Sequence, residues 1–294
     1  MRYGAVFPTV EIGKDPGAIR AWTQAVVDMG FERIVAYDHV LGAVHAGREP
    51  KLWGPYTELD EFHEPIVLFS YLAAITTDIE LVTGVVILPQ RQAALLAKQA
   101  ADLDLLCDGR LILGVGTGWN YVEYESLGME YRNRARRMEE QVEVMRRLWT
   151  QSVVDFDGKY HRVDRAGIAP MPGRSIPVWF GGSAEASVRR AARMGDGYIF
   201  GNTGSRVDAA NGVLREELEA TGRSWNDFPR DAVVHLQRGE AELAPEIASW
   251  KASNPQWVSL STMANRMFQG MTPVNRVDDQ IAMLERALDF VKAA

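Results

Sequence analysis

Short apolar runs alternate with longer amphipathic segments along almost the whole chain. The first run, over residues 3–10, reads as a buried strand because it is nearly continuously apolar. In the segment that follows, Asp15 and Pro16 are placed to open a helix and Gly30 to close it. Between them, apolar residues recur every three or four positions, a spacing that predicts one buried helical face. The opening of the chain therefore predicts a strand followed by a helix.

The same pairing of strand and helix recurs to the end of the sequence. The predicted strands are residues 3–10, 33–38, 79–88, 110–117, 178–180, 197–200, 232–236 and 257–260. Strands that are apolar on both faces and separated by helices indicate a parallel sheet. Eight such units predict an α/β fold of the closed (β/α)8 TIM barrel type. The alternative is a doubly wound open sheet, but its phosphate-binding fingerprint is missing from the first link, residues 11–14.

Two connections are too long for simple loops, namely residues 39–64 and 151–176. The first is polar and rich in Gly, Pro, His and acidic residues. The second holds Asp157-Gly158 between alternating runs, a pattern that predicts a β-hairpin. Both are predicted as insertions at the C-terminal mouth of the strands, within one barrel domain that spans residues 1–294.

Composition narrows the classes of protein that remain. Among 294 residues, 47% are hydrophobic and 24% charged, and the formal net charge is −7. This acidic balance disfavours a nucleic-acid partner, which calls for a basic face. The apolar runs are shorter than the roughly 18 residues of a membrane span, and a signal peptide is not evident. Cys107 is the single cysteine, and the histidines lack metal-ligand spacing, so a cytoplasmic protein without a metal site is predicted.

Candidate chemistry lies where the strands end, because barrel active sites are built at the carboxyl ends of the strands. Asp38 and His39 form the sharpest pair there: His39 could exchange a proton while Asp38 orients a neighbouring group. The structural alternative is that Asp38 caps a loop and His39 is merely exposed. Strand ends with neither a Lys nor paired carboxylates argue against a barrel aldolase, sugar-phosphate isomerase or glycosidase.

Two glycine-rich segments are candidates for binding a ligand. In the first, 114–118, Thr117 could hydrogen-bond a flat ring that approaches the backbone closely, or the glycines could serve only barrel packing. Its spacing does not match a dinucleotide fingerprint. In the second, Gly181-Gly182-Ser183, a helix is predicted to begin at Ser183, so free N–H groups could bind a phosphate. The alternative is a plain serine helix cap, and Glu185 would compete with an anion unless it points away.

The phrase AKQAADLDLLCDGRLILGVGTGW at residues 97–119 resembles the luciferase-like monooxygenase superfamily, especially its coenzyme F420-dependent oxidoreductases. The segments PVWFGG at 177–182 and RAARMGDGY at 190–198 add to the resemblance, which extends over nearly the whole chain. It implies a barrel with F420, or alternatively FMN, across the strand ends. It also implies a non-prolyl cis peptide bond at Gly84–Val85, behind the cofactor ring.

The resemblance also implies roles for individual residues. It implies His39 and Asp38 as the catalytic pair. The implied cofactor-binding residues are Asp38, Thr83, Gly84, Val85, Thr117, Gly118, Trp119, Gly181, Gly182 and Ser183. The sugar-phosphate dehydrogenase branch carries a Glu where this chain has Trp119, so that branch's substrate is not carried over. Trp119, Trp179 and Trp53 favour an apolar or aromatic pocket instead.

These observations predict an oxidoreductase that transfers hydride between F420 and an apolar or aromatic organic substrate, with the cofactor carrying the redox chemistry. One alternative is an FMN-dependent monooxygenase that uses oxygen and receives reduced flavin from a separate reductase. Another is a barrel that binds a flavin or deazaflavin without catalysis. Members of the family are often dimers, so a homodimer is one option, and neither the oligomeric state nor the substrate is readable from the sequence.

Overall fold

In the computed structural model, described over residues 1–201, 206–238, 240–264 and 273–293, parallel strands close into a barrel. Around it the order is β3–β2–β1–β11–β10–β9–β8–β5, and β3 pairs back to β5. These strands are β1 (Arg2–Val6), β2 (Arg33–Ala36), β3 (Glu80–Thr83), β5 (Leu111–Gly116), β8 (Val178–Gly182), β9 (Gly197–Phe200), β10 (Arg230–His235) and β11 (Trp257–Ser261). The predicted (β/α)8 barrel is confirmed.

Helices follow the barrel strands and cover them on the outside. They are α1 (Thr9–Ile12), α2 (Pro16–Asp28), α3 (Pro65–Ala73), α4 (Ala93–Leu106), α5 (Tyr121–Ser126), α6 (Arg134–Thr150), α7 (Glu185–Met194), α8 (Arg206–Ala220), α9 (Glu240–Ser253) and α10 (Val277–Ala293). The predicted caps of α2 are seen: Asp15 accepts a hydrogen bond from the Gly17 N–H at 2.8 Å, and Gly30 has a positive φ of 79°. No described helix is long and apolar enough to cross a membrane.

Strand residues divide the interior into two apolar regions, because successive side chains point to opposite faces. One region fills the space between strands and helices. The other fills the barrel lumen and continues into its mouth. Its members are Val6, Val35, Tyr56, Val82, Ile112, Trp179, Ile199, Val233, Trp257 and Met263. The lumen is therefore packed with side chains and is not an open channel.

A buried ion pair closes the barrel at the amino ends of the strands. Arg33 on β2 donates to Asp231 on β10 at 3.0 Å, and their side chains are 1% and 0% exposed. The Arg33 guanidinium also lies 3.3 Å from the centroid of the Trp257 ring. Gly4 on β1 leaves room for it, since a Cβ there would lie 2.6 Å from Cγ of Arg33. This end of a barrel serves stability, not chemistry.

The second long connection differs from its prediction. Residues 151–176 do form the predicted hairpin, with β6 (Val154–Asp157) antiparallel to β7 (Arg162–Ala166). The hairpin, however, is not at the mouth, because it joins the end of a helix to the start of a strand, which places its base at the opposite end of the barrel. It packs along α6, where Glu140 accepts hydrogen bonds from the N–H groups of Lys159, Tyr160 and His161.

Candidate functional site

Val85 forms part of the floor of the barrel mouth. Between β3 and the two-residue strand β4 (Val86–Ile87), the Gly84–Val85 peptide bond is cis, as the resemblance implied. The partly exposed Val85 side chain lies across two neighbouring strands. A Cβ at Gly116 would come within 2.4 Å of it, and a Cβ at Gly181 within 2.5 Å. Both glycines are thus required to seat Val85, which leaves a flat apolar surface at the strand ends.

Other glycines of the predicted cofactor site serve the same local packing. A Cβ at Gly114 would lie 1.8 Å from the carbonyl oxygen of Thr83, so β3 and β5 can pair here only without one. The Thr83 hydroxyl is fully buried and donates to the Gly114 carbonyl at 2.7 Å. Gly118 has a positive φ of 60°, which glycine adopts without strain. For segment 114–118 the packing interpretation therefore accounts for Gly114 and Gly116.

His39 lies at the mouth inside an aromatic enclosure, with its side chain 10% exposed. Its ring makes edge contacts with Tyr56 and Phe62, at centroid distances of 5.2 and 4.8 Å, and a tilted contact with Trp119 at 5.5 Å. Its Nδ1 lies 3.4 Å from Oε1 of Glu123. Among the described residues, none hydrogen-bonds its Nε2. The ring is held on one side by a carboxylate, and its other nitrogen remains available.

Asp38, in contrast, faces into the protein. Its Oδ2 accepts from the Ile87 N–H at 2.9 Å and its Oδ1 accepts from Arg91 at 2.8 Å. Arg91 also donates to Glu64, at 2.7 Å. Burial lowers the pKa of Arg91, but the charges and hydrogen bonds of Asp38 and Glu64 outweigh burial and leave this pKa raised. Asp38 thereby fixes the chain just after Val85. Although Asp38 and His39 are adjacent in sequence, the structure does not bring their functional groups to the same place.

The segment after β8 departs from the predicted helix start. Helix α7 begins at Glu185 with Ala184 as its N-cap, and no side chain caps it, so the interpretation of Ser183 as a helix cap is wrong. The Gly181 carbonyl accepts from the Ser187 hydroxyl, and the Gly182 carbonyl from the Tyr198 hydroxyl. Ser183 itself is exposed before the helix. The first N–H groups of α7 therefore remain without a side-chain cap.

The carboxylate of Glu185, the first residue of α7, is paired along the helix. Its carboxylate pairs with Arg189, one turn further along the helix, at 2.6 Å. From its position, Glu185 was expected to compete with a bound anion. This competition is reduced, because Arg189 balances the charge of Glu185. The N-terminus of α7, the partly exposed Gly182 and the exposed Ser183 thus lie together after β8.

Thr117 and Trp119 connect the mouth to the first long connection. The Thr117 carbonyl accepts from the Tyr124 hydroxyl at 2.6 Å, so its backbone is fixed by α5. The Trp119 ring packs against Gly54, where a Cβ would lie 2.2 Å from its Cη2. It also contacts His45, with ring centroids 5.9 Å apart. Residues 39–64 thus lie over Trp119 and form one wall of the mouth, as predicted for this insertion.

Sequence reasoning missed Glu123, which organises this wall. Asn120 caps α5 through a hydrogen bond from the Val122 N–H, and this places Glu123 in the first turn. Its Oε1 accepts from the N–H groups of Val40 and Leu41, at 2.8 and 3.0 Å. The asparagine cap was a readable signal for the helix. The partner of the carboxylate was not, since it lies more than 80 residues earlier in the chain.

Glu11 on α1 is a second carboxyl that the sequence did not reveal. Its side chain is buried, and its Oε1 accepts from the Ala264 N–H at 2.7 Å. Among the described residues its Oε2 has no hydrogen-bond partner. Burial raises its pKa from the ordinary 4.5 to about 7, more than the hydrogen bond from Ala264 lowers it. Tyr56 lies close enough for the charge of Glu11 to raise its pKa as well.

The raised pKa of Glu11 predicts a pH-dependent stability. The folded protein binds the proton more tightly than the unfolded chain, so this stabilisation is present below about pH 4.5 and is lost as pH rises through about 7. We expect Glu11→Gln to gain up to about 3 kcal/mol relative to wild type across this range. Urea unfolding of both proteins at several pH values measures it.

The control for Glu11 is Glu216→Gln, which makes the same change at an exposed position on α8. Its unfolding free energy should follow that of wild type across the same range. If Glu11→Gln also follows wild type at every pH, then Glu11 does not carry this effect.

Two cavities lie outside the mouth. One, of about 900 Å³, runs along α6 and is lined largely by charged side chains such as Arg136, Glu143 and Arg147. Another, of about 320 Å³, lies between α1 and the start of α10. The candidate site is placed at the mouth and not in the larger cavity, because the convergent polar and aromatic groups are there. Among the described residues, no three side chains of metal-ligating type converge.

An imidazole, an apolar floor and a helix N-terminus lie at the carboxyl face of this barrel, the face at which (β/α)8 enzymes build their active sites. The family model described as luciferase-like monooxygenase matches residues 1–275. The chain belongs to the luciferase-like monooxygenase family, and the resemblance stated from its sequence is confirmed.

Relatives within this family differ in cofactor. An uncharacterized protein of Mycobacterium tuberculosis is 39% identical over 186 residues, which cover 60% of this chain and 64% of that protein. The F420-dependent glucose-6-phosphate dehydrogenase of Kineococcus radiotolerans is 28% identical and covers 94% of this chain and 79% of its own. The FMNH2-dependent dimethylsulfone monooxygenase of Pseudomonas fluorescens is 32% identical over 56% of this chain and 46% of its own.

The fold has solved counterparts. An F420-dependent secondary alcohol dehydrogenase in complex with an F420–acetone adduct superposes with a TM-score of 0.77 and 16% identity, and 99% of this chain and 98% of that one are covered. This likeness establishes the shared barrel architecture.

Proposed function

We propose that this protein transfers hydride between coenzyme F420 and an apolar or aromatic organic substrate that carries an alcohol or carbonyl group. His39 exchanges the proton of that group through Nε2. The proposal is carried by the position of His39, which lies at the mouth with Nδ1 near Glu123 and with its ring against both Tyr56 and Phe62. An available imidazole nitrogen in such a site suits general acid–base chemistry.

The residues at the mouth fit a planar cofactor with a phosphate-bearing tail. Val85, seated over Gly116 and Gly181, offers a flat apolar surface for a ring. The N-terminus of α7, beside Gly182 and Ser183, offers uncapped N–H groups for an anion. When bound, the cofactor would supply or accept the hydride. Asp38 holds the backbone after Val85 and so acts as a positioning residue for this surface.

The wall of the mouth favours an apolar substrate. Tyr56 and Met263 are buried in the lumen cluster, and Val10, Phe62 and Trp119 pack against it. Such a lining excludes water and offers few polar partners, as in pockets that bind organic molecules. Hydride and proton would then leave or enter a substrate held between this wall and the floor.

FMN is the competing cofactor, because one relative of this chain is named as FMNH2-dependent. An FMN enzyme would also require a reductase to supply reduced flavin. F420 is favoured because the described barrel strands end without an arginine, and Arg91, which follows the 3-10 turn after the third barrel strand, is already held by Asp38 and Glu64. It is therefore not available to clamp a terminal phosphate.

Titration of the purified protein with F420 and separately with FMN, followed by fluorescence quenching, tests the cofactor assignment. We expect micromolar or tighter binding of F420 and weaker binding of FMN. The reverse order would assign the chain to the FMN-dependent monooxygenases. Binding of neither would overturn the proposal, and tight binding of F420 without turnover of any aromatic alcohol or ketone would indicate a non-catalytic binding protein.

A pair of serine variants tests the place of the tail. Ser183→Glu adds a negative charge beside the N-terminus of α7, so it should weaken F420 binding through repulsion. Ser175→Glu makes the same change at another exposed serine, outside the proposed site, and should bind like wild type. Equal F420 affinity of the two variants would show that the phosphate-bearing tail does not bind beside the N-terminus of α7.

A further inference from the structure

Both carboxylate oxygens of Glu123 have polar partners at one end of the mouth. It is 1% exposed, and its Oε1 is shared by His39 Nδ1 and the N–H groups of Val40 and Leu41. Its Oε2 accepts from the side chain of Gln90 at 3.2 Å. The same carboxylate therefore holds the imidazole and the first residues of the 39–64 connection.

We propose that Glu123 is a positioning residue that keeps the proton of neutral His39 on Nδ1, so that Nε2 is the proton-accepting atom that faces the mouth. This inference rests on the proposed function for its catalytic meaning, but the arrangement of the proton is a property of the ligand-free protein. It predicts that Glu123 determines how His39 works without touching substrate or cofactor.

The charge state of Glu123 supports this role. Burial alone would raise its pKa, but the neighbouring His39 ring and the hydrogen bonds from Leu41 and Gln90 outweigh burial and leave the pKa below its ordinary value. Glu123 is then ionised at neutral pH and can only accept hydrogen bonds. The imidazole nitrogen that faces it must therefore carry hydrogen, because the tautomer is set by the partner of the other nitrogen.

Rotation of the ring would undo this arrangement, and the enclosure opposes it. Tyr56 and Phe62 contact the imidazole and also contact each other, with centroids 4.7 Å apart. Trp119 closes the third side and is itself packed against Gly54. A ring turned over would place Cδ2 against the carboxylate in the place of Nδ1, and Cε1 in the place of Nε2.

The chain offers a matched comparison in His161 and Glu140. There, Nδ1 of His161 lies 2.8 Å from Oε1 of Glu140, and that carboxylate also accepts from backbone N–H groups, including that of His161 itself. This second pair lies on the hairpin against α6, outside the mouth. The two pairs share their chemistry and differ in location, so they separate a positioning role from a general effect of losing a carboxylate.

Nitrogen-15 NMR of the histidine side chains tests the proposal in ligand-free protein. His39 is assigned by the signal that disappears in His39→Gln. At a pH where the ring is neutral, we expect Nδ1 of wild-type His39 to be protonated and Nε2 to be unprotonated. A proton found on Nε2 in wild type would overturn the proposal without any Glu123 variant.

Substitution of Glu123 should change both the tautomer of His39 and kcat. In Glu123→Ala we expect His39 to lose its preference for protonation at Nδ1, and kcat with F420 and an aromatic secondary alcohol to fall about 10- to 100-fold, as when the orienting partner of a functional histidine is removed. The KM for F420 should be unchanged. Glu123→Gln keeps an acceptor oxygen and should recover part of kcat and the wild-type tautomer.

Glu140→Ala is the control, and it should alter the His161 signals while leaving those of His39 and kcat unchanged. An unaltered His39 tautomer in Glu123→Ala would overturn the proposal. If F420 is neither bound nor turned over, the proposed function fails. The NMR result on His39 then still decides whether Glu123 sets its tautomer.

Discussion

His39→Gln is expected to lower kcat/KM for F420 reduction by aromatic secondary alcohols by about 100- to 10,000-fold, the range of a lost general acid or base. The substituted amide can keep a contact with Glu123 and fills much of the same volume between Tyr56 and Phe62. It cannot take up a proton at the position of Nε2. Steady-state kinetics at saturating F420 measure the loss.

In His39→Gln we expect F420 binding to be retained while catalysis is lost. The floor formed by Val85 does not depend on His39, so the F420 affinity of His39→Gln should match that of wild type. His161→Gln is the control, because it removes the other imidazole paired with a glutamate and lies away from the mouth. Equal activities of the two variants would show that His39 is not the proton-exchanging group.

Asp231→Ala is expected to destabilise the fold by about 3–5 kcal/mol, the cost of removing one partner of a buried ion pair. Arg33 would remain 1% exposed between the rings of Trp257 and Trp179. Among the described residues it would keep only Glu80, which is partly exposed at 27%, as a carboxylate partner, and Ser259 would lose its acceptor. Urea unfolding at constant pH measures the change.

Two comparisons make the Asp231 prediction specific. Asp164→Ala removes the partner of Arg162 and Arg165 at the surface, where Asp164 is 51% exposed, and should cost less than about 1 kcal/mol. The double variant Arg33→Met with Asp231→Leu should recover most of the loss, because neither of the two buried charges remains, and the partly exposed Glu80 keeps Arg2 as a partner. Asp231→Ala as mild as Asp164→Ala would show that the buried pair does not hold the barrel together.

Local sequence signals determined the architecture well. Asp15, Pro16 and Gly30 mark the ends of α2 because caps depend only on neighbouring residues. The apolar strand runs predicted the barrel because parallel strands must be covered on both faces. The Asp157-Gly158 pair predicted the hairpin but not its location, since turn chemistry says nothing about which helix the hairpin packs against. The sequence placed the start of α7 at Ser183. In the structure this helix begins two residues later, at Glu185, with Ala184 as its N-cap residue.

The candidate site could be predicted from the sequence only in part. Asp38 and His39 stood out as a pair of chemically active side chains at a strand end, yet their orientations differ. Asp38 turns inward to Ile87 and Arg91, whereas His39 meets Glu123. Both outcomes depend on contacts between residues far apart in the chain, which one sequence does not display.

By itself, the sequence determined the eightfold alternation, the family and the strand ends where chemistry is placed, because periodicity, capping and motifs are local properties of the chain. Only the tertiary structure decided that Glu123 meets His39 and that Gly116 and Gly181 seat Val85. It alone also decided that Glu11 is buried next to Ala264, on a chain segment more than 250 residues away. Burial and electrostatic coupling arise from three-dimensional packing, so the roles of these carboxyl groups emerge only once the barrel closes.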